Sequence, residues 1–167
     1  MTRSLSELIA GDVAPGSLSI RPASQGDEAF ILSLERSHSS SFISDRWGRP
    51  AIERPGLGDA FPHAYFIIQN AGQDIGCIAL FEEHDVLQIE QLYVKVSETK
   101  EQVVTEVLNH LLLKSANAFQ RVCVIDDKDS PSLRAFEKAG FKAVSAESHK
   151  ALLERKITIE DGVSRYV

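Results

Sequence analysis

Glu90 sits in the middle of the run VLQIEQLYV, Val86 to Val94, which otherwise reads as an apolar strand. Burial in such a setting penalises the charged form of a carboxylate and raises its pKa, which suits Glu90 to accept a proton near neutral pH. A structural carboxylate, paired with a Lys or Arg on a neighbouring strand, has the same appearance in sequence. Trp47, the single tryptophan, lies in a stretch from His38 to His63 that is rich in Ser, Arg, Gly and Pro. It either anchors that loop on the sheet or grips a ligand. Cys77 and Cys123 each fall inside an apolar run and not in a CxxC arrangement, which predicts two buried reduced thiols. The five histidines are scattered without metal-ligand spacing, so no structural or catalytic metal is expected.

The elements that must position Glu90 follow from periodicity and turn chemistry. Ala64 to Asn70 and Asp74 to Glu82 are apolar runs joined by AGQ, a hairpin signal, and Val86 to Val94 extends them into an antiparallel meander. Gly76, inside the second run, predicts a bulge or a close backbone approach. Val103, Val104, Val107, Leu108, Leu111 and Leu112 then form a helical stripe that should face the sheet. Arg121 to Asp126 is a short apolar strand, expected to be covered on both faces. Ser130 as N-cap, Pro131 at the first helical position and Gly140 as the left-handed stop bracket a short helix. Phe141 to Ser148 and Lys150 to Ile159 read as closing strands. Upstream, Ser17 to Pro22 is a strand, and Phe30, Ile31 and Leu34 recur at helical spacing after an acidic turn. The segment from His38 to His63 reads as one short helix plus an irregular loop that covers a substrate pocket. Residues 1–16 are expected to be a leader lying on the surface, and residues 17–167 a single domain.

A chain of 167 residues with 43% hydrophobic and 25% charged residues is an ordinary globular domain with room for a sizeable core. Its formal charge of −6 offers no positive field for nucleic acid or an anionic membrane surface and favours a cationic small molecule or basic peptide as partner. Arg46 and Arg49 beside Trp47 are too few to form a basic nucleic-acid face. The first residues, MTRSLSELIAGDV, have no apolar core of signal-peptide length, and no run approaches a membrane span, so a cytoplasmic location is expected.

The phrase SPSLRAFEKAGF, Ser130 to Phe141, is similar to the end of the core of the GNAT superfamily of acyl-CoA-dependent N-acetyltransferases, where a loop leads into a helix closing with Tyr-Glu-Lys-x-Gly-Phe. IEQLYV resembles the IDQL phrase of the aminoglycoside 6'-N-acetyltransferases and their siderophore-modifying relatives, in which the acid contacts the acceptor amine. The order of elements from about Leu18 to Ile159 also resembles the GNAT order. The resemblance implies a mixed α/β (α+β) fold with a mostly antiparallel central sheet of six to seven strands and helices on both faces. It implies acetyl-CoA as acyl donor, and a small-molecule or peptide amine as acceptor. Glu90 takes the position of the acid, as base and acceptor anchor, with Trp47 beside the acceptor. The cofactor would lie against Leu92, Tyr93 and Val94, then Thr99, Lys100, Gln102, Val103, Val104 and Thr105, and finally Asp129, Ser132 and Phe136.

The turn after this strand departs from the family pattern. Glycines there let backbone N–H groups reach a pyrophosphate at a helix N-terminus. Here the turn reads ETKEQVV, with Glu98 near the usual Gln/Arg position and Lys100, Gln102 and Val104 where glycines are expected. Those side chains are expected to occupy the approach path, and Glu98 and Glu101 to face the anion. Asp129 stands where the family has Asn, and Phe136 replaces a Tyr that commonly protonates the departing thiolate, a proton Phe lacks. Thr99, Lys100 and Thr105 are left as donors. Two readings stay open: an acetyltransferase, as a monomer or homodimer, or a catalytically degenerate GNAT-fold binding or regulatory protein.

Overall fold

The computed structural model describes residues 4–13, 16–38, 61–95, 100–127, 133–147 and 150–157. Eight strands form one sheet, in the spatial order β1 (Gly11–Val13), β2 (Leu18–Pro22), β3 (Tyr65–Asn70), β4 (Gln73–Glu83), β5 (Val86–Val94), β6 (Arg121–Asp127), β8 (Lys150–Lys156) and β7 (Lys142–Glu147). Every pairing is antiparallel except β5 with β6. Helices α1 (Leu5–Ile9), α3 (Lys100–Ser115) and α4 (Leu133–Lys138) bury apolar side chains in the larger core, and α2 (Glu28–His38) does so on the opposite face. The mixed sheet with helices on both faces is as expected, with eight strands in place of six or seven.

The additional strand comes from the N-terminal segment, which is not a surface leader. Ser4 caps α1 by accepting the backbone N–H of Glu7 at 3.2 Å, and β1 then pairs with β2. Leu5, Leu8 and Ile9 lie at helical spacing, and Ile9 and Val13 are fully buried in the main core. His110 of α3 fastens the segment by donating from Nε2 to the Ile9 carbonyl at 2.7 Å. The main core is thus continuous from Ile9 in α1 to Leu153 in β8.

The remaining elements match their chemistry closely. The α3 stripe from Val103 to Leu112 is buried as its spacing dictates. Gly140 takes φ +96, the left-handed stop after α4 that a residue with a Cβ adopts only with strain. A Cβ on Gly76 would sit 2.4 Å from the Tyr93 carbonyl oxygen, so β4 and β5 approach where only glycine fits. A bulge adjoins it, since Ile68 pairs with Gly76 and Gln69 with Asp74. β6 departs from expectation: Val122 and Val124 are buried, whereas Arg121 is exposed and Cys123 half-buried, so this strand is covered on one face. Cys77 is fully buried and its thiol is pushed up to about 12 by desolvation. No described helix is long and apolar enough to cross a membrane.

Candidate active site

The meander carries Glu90 to a break in the sheet. On the β4 side, Ala79 pairs with Gln91 and Leu80 with Ile89, which leaves Glu90 as the extra residue of a β-bulge. On the β6 side, the parallel ladder runs from Val86 opposite Arg121 to Ile89 opposite Val124 and then stops. Both strands continue, β5 to Val94 and β6 to Asp127, and β6 stays paired to β8 through Asp127 opposite Lys150. The two strands therefore part immediately after Ile89, where the parallel ladder ends.

The bulge also decides which way the side chains point. Leu87 and Ile89 belong to the main core, and beyond the bulge Leu92 and Val94 return to it, whereas Tyr93 packs with the α2-side cluster. Glu90 and Gln91 consequently share the α2 side, as a bulge requires. Gln88, also on that side, donates from Nε2 to Glu90 Oε1 at 2.9 Å. Glu90 is half-buried, and the carboxamide oxygen of Gln91 is buried without a hydrogen-bond partner. A carboxylate oriented by an amide, beside a polar atom awaiting a donor, is suited to hold and deprotonate an amine.

The helix after β5 treats its candidate residues unequally. Val103 and Val104 point into the core, so the side chain at 104 does not stand over the helix N-terminus as expected. Gln102 lines a shallow polar recess with Gly16, Ser17, Asn70 and Glu106, on the β2 side of α3. The Thr105 hydroxyl donates to the Glu101 carbonyl at 2.7 Å, which commits it to the helix backbone. Glu101 does not confront the opening as a bare charge, because Lys138 of α4 lies 2.7 Å from it. Phe136 is buried, edge-on to Phe141 with ring centroids 5.7 Å apart, and serves the core. Lys100 begins α3, and its side chain lies outside the described residues, as do Trp47, Glu98, Thr99, Asp129 and Ser132.

Glu90, Leu92, Tyr93 and Val94 thus line one edge of the opening, with Leu92 and Val94 offering backbone and not side chain. The start of α3 and the end of α4 meet across the Glu101–Lys138 pair. Strands that part beside a helix start free of the Val104 side chain fit an extended amide-bearing arm with a phosphate end, which is the shape of an acyl-CoA. Sequence reasoning missed Gln88, Gln91 and Lys138. Only Gln91 had a signal: the apolar spacing of β5 slips from two to three between Ile89 and Leu92, where a bulge turns a second polar residue to the same side.

Comparison with solved structures places the architecture. Ard1 from Thermoplasma volcanium superposes with a TM-score of 0.65 at 15% identity, over 85% of this chain and 99% of that one. The PaiA N-acetyltransferase from Thermoplasma acidophilum, in complex with coenzyme A, gives 0.64 at 17% identity over 84% and 99%. The chain has the GNAT fold. N-acetylglutamate synthase from Neisseria gonorrhoeae, complexed with coenzyme A and L-arginine, matches at 0.62 and 21% identity, over 86% of this chain but 34% of that one. No protein-family model matches the sequence, and no curated protein does. None of these three neighbours is described as an aminoglycoside acetyltransferase.

Proposed function

We propose that this protein is an N-acetyltransferase that moves an acetyl group from acetyl-CoA to a primary amine of a small molecule or peptide. The observation that carries the reading is the end of the β5–β6 ladder at Ile89 and Val124, one residue from the bulged Glu90. Acetyl-CoA bound in that opening supplies an activated acyl thioester. The residues that would hold it are the stretch Glu90–Val94 beyond the end of the ladder, the first turn of α3 and the end of α4. An amine arrives as an ammonium ion without a lone pair, and Glu90 takes its proton so that nitrogen becomes nucleophilic. Gln88 fixes the orientation of the Glu90 carboxylate at 2.9 Å, and the Gln91 carboxamide oxygen, which has no partner among the described residues, supplies a second contact for the acceptor. Leu92 and Val94, locked into the core, keep the edge rigid, and a rigid edge lowers the cost of ordering a ligand. The net charge of −6 favours a cationic acceptor. The coenzyme A complexes and the spermidine N-acetyltransferase SpeG chimera among proteins of this fold support the reading by analogy.

Two measurements test it. Millimolar coenzyme A should raise Tm, and an unchanged Tm removes the reading. Glu90→Gln should lower kcat for an amine acceptor by about 100-fold or more while leaving the coenzyme A Kd within about twofold. Turnover equal to wild type would take Glu90 out of the mechanism.

A further inference from the structure

Lys138 closes α4, and its Nζ lies 2.7 Å from Oε1 of Glu101 in the first turn of α3. α3 begins beyond the C-terminal end of β5, and α4 follows the C-terminal end of β6. The ion pair therefore spans the two elements that flank the opening between these strands. The hydrogen bond from Lys138, then its charge, with a smaller attraction from Arg134 one helical turn earlier, hold the Glu101 carboxyl below the usual range. The two side chains are 63% and 49% exposed, so water screens the pair and exchanging one partner for another costs little.

Building on the acetyl-CoA reading, we propose that this pair is a clasp that the donor's phosphates open, with Lys138 moving from Glu101 to the phosphate and Arg134 reinforcing it. A phosphate group carries more charge and more acceptor oxygens than a single carboxylate, so it wins the ammonium when both are within reach. Lys138 then adds a cationic grip beside a turn whose residues 96–104 include no glycine. Glu101 acts as a built-in competitor that keeps Lys138 aligned when no ligand is bound and lowers affinity for the donor.

Titration calorimetry with coenzyme A and with pantetheine, which carries the same thiol arm without phosphates, tests the clasp. Lys138→Gln should weaken coenzyme A binding on the order of tenfold, and Glu101→Gln should tighten it about threefold. Neither should change pantetheine affinity by more than about twofold. Lys142→Gln, an exposed lysine on β7, serves as the charge control and should leave both affinities unchanged. A wild-type coenzyme A Kd in Lys138→Gln, or equal losses for both ligands, overturns the clasp and leaves the function intact. A wild-type protein that binds neither ligand overturns the function and the clasp together.

Discussion

Asp27 shows how one carboxylate organises a corner of the molecule. It accepts two hydrogen bonds from Arg21, each at 2.8 Å, and one from the Ser24 backbone N–H at 2.8 Å, closing the capping box ahead of α2. Those bonds, the Arg21 hydrogen bond foremost, hold its carboxyl at about 2 against an ordinary 3.8. Because the folded value is depressed, the stabilisation is complete above 3.8 and is lost as pH falls through about 2. Asp27→Asn should cost about 1–3 kcal/mol at neutral pH and flatten the dependence of Tm on pH between about 4 and 2. An unchanged acid limb would remove the Arg21–Asp27 pair as its cause. His110 sets a second window. Burial, foremost, and the nearby Lys114 charge press its pKa below the ordinary 6.5, against the opposing hydrogen bond to Ile9. The fold thus prefers the neutral ring, and stability declines as pH drops below 6.5. His110→Gln, which keeps a donor but does not titrate, should abolish the loss of Tm that sets in below pH 6.5.

At the scale of single elements, Gly76 ties the sheet to the site. Gly76→Ala forces a Cβ against the Tyr93 carbonyl and must move β5 along the stretch that lines the opening. It should cost about 1–3 kcal/mol and weaken coenzyme A binding at once, whereas an equally destabilising change far from β5 should leave binding unaltered. Such elements were legible in sequence to different depths. The β3–β5 meander, the α3 stripe and the Gly140 stop rest on local periodicity or on a single backbone requirement, and each lies where the residues indicated. α1 and β1 were not legible, because one turn of helix and a three-residue strand are shorter than the windows over which periodicity speaks. In β6 the run RVCVI is equally apolar whether one face is covered or two, so the exposed Arg121 and half-buried Cys123 were hidden. Glu90 announced itself as an acid among apolar neighbours. The parting of β5 from β6 did not, since it depends on which strand pairs where, and the Glu101–Lys138 contact joins residues 37 positions apart.

As a whole molecule, the chain is organised by one eight-stranded sheet and a main core that runs from α1 to β8. Thermal unfolding should therefore pass through one cooperative transition, with matching midpoints by far-UV and near-UV signals. Deleting residues 1–13 removes the fully buried Ile9 and Val13 and should lower Tm by about 10 °C or more. A deletion that melts like the full chain would show that α1 and β1 are dispensable. The hydrogen bond that fastens Ile9 to His110 spans 101 residues, and this separation bears on biosynthesis. At about 5–20 residues added per second, a ribosome needs roughly 5–20 s to reach the histidine after making the isoleucine. Throughout that interval Leu5, Leu8 and Ile9 lack this fastening, which makes the segment a natural resting place for a chaperone.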